Sequence, residues 1–463
     1  MSRSIRQAVP RPDGEQYRRE REAGKVMITA CPSGLCVRRG HASGPESGCL
    51  MAALFGHDRL TAVQTFSPDT RSRIGAVYLG KIKKILKNLN ACFVEIAGGE
   101  QCFLHMGGEN DAPFLTNRTY DGRLMEGDEV LVQLRQEAVK TKQATVSTRI
   151  TMQGEYFVFA TGTSRSGISR KLGETQKSLL RDFLERTEIT DQEGLLAQEE
   201  GVPPFGLVAR TRAGLILEQA DPDCEDILYR EYDRLRQQFT AVFLQGRHRT
   251  CYSCLHEAGS ALEEALTPFL PDEYEEVVTD LVPIYEELSR LREQGRFSLE
   301  KKQLRLYQDP DFPLDKLYSL ETRLREATAR TVWLKSGANL VVEQTESLTA
   351  IDVNTGKCTR TSAREPGKPS SADVMRRVNL EAAVEVARQL RLRNLSGIII
   401  VDFINLATLA QEEELLQKLR ELTENDPVTV QVVDMTPLGL VEITRKKVYP
   451  SLREQLERTV VET

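Results

Sequence analysis

Residues 347–357, SLTAIDVNTGK, and 397–406, GIIIVDFINL, each set an aspartate into an aliphatic run: Asp352 behind Ala350-Ile351, and Asp402 behind Ile398–Val401. An ionised carboxylate is costly to bury among β-branched side chains unless it is paired or holds a cation. Two such aspartates in one part of the chain point to strand-borne carboxylates converging on a hard metal ion. Magnesium suits that arrangement because it takes one or two carboxylates and keeps its other positions for water and phosphate. Two plainer roles stay open: Asp402 as a structural carboxylate, and Asn354, two residues beyond Asp352 on the same strand face, as a turn's hydrogen-bond partner.

Outward from these aspartates, residues 331–450 alternate strand and helix. TVWLKSGANLVVEQ and LTAIDV read as strands, and VMRRVNLEAAVEVARQLRLR as a helix stopped by Ser396-Gly397. GIIIVDF, the helix AQEEELLQKLRELTEN and the strand VTVQVVDM follow, so this is an α/β layer, with Pro366 to Pro369 marking a loop between the aspartate strands. Asp434, ending the strand VTVQVVDM, is expected to cap a helix beginning near Pro437, with a third carboxylate near the site as the alternative, and the basic run Arg445-Lys446-Lys447 lies behind it. Residues 73–152 are all β, with short alternating strands and Gly-rich connections that suggest a small barrel. Residues 153–250 combine the strand EYFVFAT, an Arg/Ser/Gly loop, the helix ETQKSLLRDFLERT, the strand FGLVARTRAG and a long amphipathic helix. Residues 251–330 mix helical and strand-like pieces. MAALFGHDRLTAVQTF, from Met51, reads as a hairpin, and residues 1–45 as a flexible extension, Arg- and Gly-rich and without periodicity.

The bulk numbers narrow the function classes. A chain of 463 residues holds about three domains on the usual length prior. No apolar run approaches the roughly 18 residues of a membrane span. The nearest thing to a signal core, residues 26–37, is broken by two cysteines, Pro32 and Gly34, which predicts a soluble cytoplasmic protein. Nine scattered cysteines argue against a disulfide framework. The pair Cys251 and Cys254, with His256 beyond, has no second Cys/His group and reads as incidental thiols. A net charge of −6 gives no global positive field, but nucleic-acid footprints are local. Local clusters are present at Lys81-Lys83-Lys84-Lys87, Arg165-Arg170-Lys171, Arg210-Arg212 and Arg445-Lys446-Lys447, each alone compatible with a solvated face. A glycoside hydrolase would need aromatics to stack sugar rings, and the chain has one tryptophan, Trp333. No phosphate loop supports an NTPase; Asn354-Thr355-Gly356-Lys357 lacks its glycine spacing.

The runs VWLKSGANLVVEQTESLTAIDVNTG, NLEAAVEVARQLRLRNLSGIIIVDF and PLGLVEITRKKVYPSL resemble the ribonuclease E/G family, and with the upstream segments the likeness covers roughly 74–452. The resemblance implies an α+β and α/β multidomain fold: an OB-fold β-barrel inserted in an RNase H-like subdomain, followed by a DNase I-like α/β catalytic domain. Its expected parts are a flexible extension at 1–45, the RNase H-like subdomain at 46–72 and 251–330, the RNA-binding barrel at 73–152, a 5′-phosphate sensor at 153–250, and the catalytic domain at 331–463. It implies that Asp352 and Asp402 hold Mg2+, for which Mn2+ can substitute, with Asn354 orienting the site, in an enzyme cutting single-stranded RNA to leave a 5′-phosphate and a 3′-hydroxyl. Phe93 and Phe103 match the family's base-stacking pair, with Lys142 beside them; without the resemblance they serve equally well as core. Arg210 and Thr211 match the pocket for a 5′-monophosphate, Gly154 and Val158 its backbone side, and a plain surface arginine is the alternative for Arg210. Arg170 and Lys171 are expected along the RNA path, and Arg445, Lys446 and Lys447 on the substrate backbone. The chain also departs from the family. No cysteine follows Cys358, so the CPxC zinc link is missing: no structural zinc is expected, and any homo-oligomer would form without it. Asn405 stands where the family often has aspartate. Those departures leave an alternative, a non-catalytic RNA-binding protein that keeps the barrel and sensor.

Overall fold

The computed structural model describes residues 24–32, 48–68, 73–106, 113–138, 143–163, 165–170, 172–191, 194–196, 200–218, 223–356 and 371–458. They fall into two units, one formed by 1–70 with 261–463 and the other by 71–260.

The second unit begins with a barrel. Strand Val77–Leu86 pairs with Ala91–Glu95 on one side and Glu129–Gln136 on the other; Gln101–His105 and Thr145–Ser147 complete the circuit. Five strands thus close an OB-like barrel without free edges. Its interior takes the alternate residues Ile82, Cys92, Val94, Cys102, Leu104, Val130 and Val132. Burial pushes the Cys92 thiol up to about 12 and Cys102 to about 11, so both act as small apolar side chains. A four-stranded sheet follows in the order Gly167–Ile168, Phe205–Ala209, Phe157–Thr161, Thr151–Gln153. Helices Glu174–Arg186 and Asp223–Gly246 cover it, interlocking Phe159, Phe205, Phe239 and Phe243.

The first unit contains two sheets. One has the order Gln303–Leu306, Glu276–Thr279, Lys25–Ala30, Leu50–Gly56, Arg59–Phe66, so Lys25–Ala30 is its central strand. The expected flexible extension at 1–45 is corrected there. Val26, Met27 and Ile28 are fully buried because both faces of the sheet are covered. A strand covered on both sides shows no polar alternation, which is why this run looked like a broken signal core. The Met51 hairpin is present as Leu50–Gly56 and Arg59–Phe66.

The other sheet carries the aspartates, in the order Thr331–Trp333, Asn339–Gln344, Leu348–Asn354, Gly397–Asp402, Leu440–Arg445, Val430–Met435. One face, with Leu340, Ile351, Val353, Ile399, Val401, Val441 and Ile443, packs on helices Ser371–Leu392 and Leu409–Glu424. The first helix ends at Leu392; two residues on, Asn394 adopts the left-handed conformation (φ 48°), and Leu395 N–H donates back to Leu390 O at 2.9 Å. Gly397 (φ 84°) then opens the Asp402 strand instead of terminating the helix. No helix starts near Pro437: a turn, with Gly439 N–H donating to Thr436 O at 2.9 Å, leads straight into the strand Leu440–Arg445. Asp434 therefore caps nothing and lies in the strand before that turn, its Oδ1 accepting from Met435 N–H at 2.8 Å.

Arg445 also departs from expectation. It is 3% exposed, and its guanidinium forks onto Asp426, Nε and Nη2 each donating at 3.0 Å. Nη1 donates to Asn394 Oδ1 at 2.6 Å and to Leu395 O at 3.1 Å. Every face of the fork is used inside the fold, so none remains for a substrate backbone. Removing one partner of a buried ion pair strands the other. Arg445→Ala should therefore lower stability by about 3–5 kcal/mol, and urea unfolding followed by circular dichroism with an unchanged midpoint would refute this role.

Candidate functional site

In the last sheet, Leu348–Asn354 and Gly397–Asp402 run parallel, and Asp352 is the register partner of Asp402. Neighbouring strands lie ~4.8 Å apart, so the two carboxylates leave adjacent backbones side by side. Both are exposed, while Ile351, Val353, Val401 and Phe403 beside them are buried. The aliphatic runs thus do not entomb the aspartates. They supply the buried face of each strand and so turn both carboxylates to the open one. Asn354, also on that face, donates from Nδ2 to Asp352 Oδ2 at 2.7 Å, which leaves the other oxygen of Asp352 available. The chain leaves the site through Gly356 (φ 54°), where a Cβ would lie 2.3 Å from Gly337 O, so only glycine fits.

Two adjacent carboxylates with open space above them are a donor set that suits a hard, largely hydrated cation. Among the described residues no group of three or more His, Cys, Asp or Glu gathers to enclose a metal. Asp434 lies two strands from Asp402, beyond the strand Leu440–Arg445. Asn405 sits in the loop after the Asp402 strand, near Gly439. Lys446 and Lys447 are exposed, but Arg445 pairs with Gly397 whereas Leu440 pairs with Asp402. They therefore stand at the end of the strand away from the carboxylates.

In the barrel, Phe93 and Phe103 are direct register partners on neighbouring strands, their rings edge-to-face with centroids 6.0 Å apart. Both are half-buried on the outer face, opposite Cys92, Val94, Cys102 and Leu104. That arrangement removes the core reading the sequence left open. Lys84, exposed, is the register partner of Phe93, so one cation of the Lys81-Lys83-Lys84-Lys87 cluster lies beside the ring pair. Lys142 lies outside the described residues, as does Lys171.

Elsewhere in that unit the chain gathers Gly154, Val158, Arg170, Arg210 and Thr211. Phe157–Thr161 pairs with Phe205–Ala209, placing Val158 opposite Val208, and Arg210 N–H donates to Tyr156 O at 2.8 Å. Arg210 Nη1 donates to Gly154 O at 2.7 Å, which aims an exposed guanidinium along the turn. Thr211 opens the helix Thr211–Glu218, not the tail of a strand as expected, and its Oγ1 lies 2.8 Å from Ser169 Oγ. Exposed Arg170 follows Ser169 directly. Two arginines beside a helix N-terminus form an anion-attracting corner.

Comparison with known proteins identifies the family. A model described as the Ribonuclease E/G family matches residues 151–448. The chain is 30% identical over 414 residues to Ribonuclease E of Escherichia coli strain K12, covering 88% of this chain and 36% of that protein. To Ribonuclease E of Haemophilus influenzae it is 28% identical over 412 residues, covering 88% and 41%. To Ribonuclease G of Salmonella typhimurium it is 29% identical over 398 residues, covering 83% and 75%. The chain thus spans about two fifths of the Ribonuclease E relatives and three quarters of Ribonuclease G.

The residue that holds the Gly154 turn in place gave no signal in the sequence. Glu231, in the helix Asp223–Gly246, reads as one more charge on an amphipathic face but is buried. Its carboxylate accepts from the N–H groups of Glu155, Tyr156 and Phe157 at 2.9, 2.6 and 3.0 Å. A Cβ at position 154 would lie 2.3 Å from Glu231 Oε1, so the turn closes onto this carboxylate through glycine. Glu231→Ala should leave those donors unsatisfied at a loss of about 2–3 kcal/mol. Amide exchange at 155–157 should rise while the barrel strands stay protected; unchanged exchange at the turn would overturn the assignment.

Proposed function

From the premise that this chain belongs to the ribonuclease E/G family, we propose that it is an endoribonuclease cutting single-stranded RNA at the Asp352–Asp402 pair. The observation that carries the reading is the register match of those two aspartates on neighbouring parallel strands. Asp352 and Asp402 would hold Mg2+, or Mn2+ in its place, with Asn354 fixing the rotation of the Asp352 carboxylate. A cation held there would supply a lowered pKa for bound water and a counter-charge for the phosphate oxygens. Water adds to phosphorus, the bond to the 3′ oxygen breaks, and the products are a 5′-phosphate and a 3′-hydroxyl. The neighbouring strands contribute position. Their buried faces fix both carboxylates on rigid backbone, where a small displacement would be expensive in rate.

The outer face of the barrel supports the choice of single strands. Phe93 and Phe103 offer ring surface to unpaired bases, worth about 1–3 kcal/mol per base, and Lys84 lies next to them for a phosphate. The corner of Arg210, Thr211 and Arg170 suits a terminal monophosphate, which carries more charge and more free oxygens than a bridging one; a guanidinium fork matches that geometry. On this reading the five-stranded sheet containing Lys25–Ala30 is an RNase H-like subdomain split around the barrel and sensor, and the aspartate sheet is DNase I-like. The enzyme would work in RNA processing and decay in the cytoplasm, on ribosomal precursors and messengers. No helix among the described residues is long and apolar enough to cross a membrane.

Asp352→Asn should abolish cleavage of an A/U-rich single-stranded RNA, as chelation of magnesium should in the unmodified chain, while RNA binding persists. Cleavage at the normal rate by the variant would end the nuclease reading, and binding without any cleavage in magnesium would make the protein a non-catalytic RNA binder. Arg210→Ala should erase the preference for a 5′-monophosphate over a 5′-hydroxyl while sparing cut sites that do not depend on the end. An undiminished preference, measured by comparing kcat/KM on the two ends, would refute the sensor.

A further inference from the structure

Trp333 is the only tryptophan in the chain, and it is 66% exposed on the edge strand Thr331–Trp333 of the aspartate sheet. Its neighbours Val332 and Leu334 enter the core, so Trp333 stands on the opposite, open face with Asp352, Asn354 and Asp402. Register fixes its place on that face. Trp333 is the partner of Asn339, and Asn339 is the partner of Asn354. The indole therefore heads the same cross-strand row as the asparagine bonded to Asp352, two strands away, or about 10 Å. Between them stand the half-buried Asn339 and, one row over, Val341, neither bulky enough to bar an extended chain. Trp333 makes no ring contact or cation–π contact among the described residues. Lys335, two residues on in the exposed turn to the next strand, has no ion pair among them.

We propose that Trp333 is a base-stacking residue of the cleavage site, holding an unpaired base on the same sheet face as the scissile phosphate and about two strands from it. Lys335, exposed in the turn just beyond that row, meets a phosphate flanking the stacked base. This rests on the reading of Asp352–Asp402 as a nuclease centre and extends it to substrate positioning. An indole offers every base a π-face, so the contact is tolerant of sequence but not of pairing: a duplexed base has no free face. The site thereby gains a check for single strands at the cut itself, separate from the barrel. Because the stack forms before and during cleavage alike, it tightens binding without changing the chemical step.

The sole tryptophan is its own reporter. With chelator present to prevent cleavage, the full chain is titrated with a labelled A/U-rich RNA, following both the anisotropy of the label and tryptophan emission. Emission should fall in parallel with binding. Trp333→Ala should raise KM about tenfold with kcat nearly unchanged, and Trp333→Phe, which keeps a ring, should recover most of the loss. Saturated anisotropy with constant emission would overturn the proposal, as would an unchanged KM in Trp333→Ala. A drop in sedimenting mass for Trp333→Ala, with emission indifferent to RNA, would make this face a contact between copies and also overturn it. Quenching by RNA without cleavage in magnesium would leave the stack standing and sink the nuclease reading instead.

Discussion

Everything at the candidate active site follows from one pairing: two strands run parallel with Asp352 and Asp402 in the same register position. Side chains alternate across a strand, so a slip of one residue would drive one carboxylate into a core of valine and isoleucine. The core forbids that slip. Ile351, Val353, Ile399 and Val401 must all face helices Ser371–Leu392 and Leu409–Glu424, and only one register satisfies them together. The aliphatic residues around each aspartate thus decide which face of the sheet the two carboxylates share.

Arg445 secures the far end of the same strand. It joins Asp426 after the second helix to Asn394 at the end of the first, and its backbone pairs with Gly397 where the Asp402 strand begins. Asn394 in turn donates from Nδ2 to Pro450 O at 2.8 Å. A helix stop, a strand start and the closing loop therefore share one buried polar network. Such a network is stabilising only when every member is satisfied, which is why a basic run that invites an RNA-binding reading contains one residue committed to the fold and two, Lys446 and Lys447, that remain exposed.

The barrel, the two long helices around the aspartate sheet and the alternation of strand and helix from 331 onward were all legible as hydrophobic period. What failed to show has a common physical cause. The strand Lys25–Ala30 has no alternation, because both of its faces are covered, and its partners at 276–279 lie far along the chain. Asp434 and Pro437 look like a helix cap and a first-turn proline, but local preference yields there to pairing between Val430–Met435 and Leu440–Arg445. Glu231 and Arg445 are charged residues whose partners come from distant segments, and no local pattern distinguishes a buried ion from a solvated one. Phe93 and Phe103 were ambiguous for the opposite reason. Only the pairing of the two strands puts them on one face, and which face points inward depends on barrel closure.

The open face also explains how two like charges can be neighbours in a stable sheet. Unit charges about 5 Å apart repel by less than 1 kcal/mol in water and by about 3 kcal/mol at an effective dielectric of 20. Exposure keeps the Asp352–Asp402 pair near the lower figure, and the Asn354 amide offsets part of the remainder by donating to Asp352. Were the same pair enclosed, one carboxylate would have to take up a proton, and the site would lose the charge that attracts a divalent cation. Solvent access is thus a condition of the metal reading rather than an objection to it, and the same access leaves room for a flexible, charged strand to lie across the sheet.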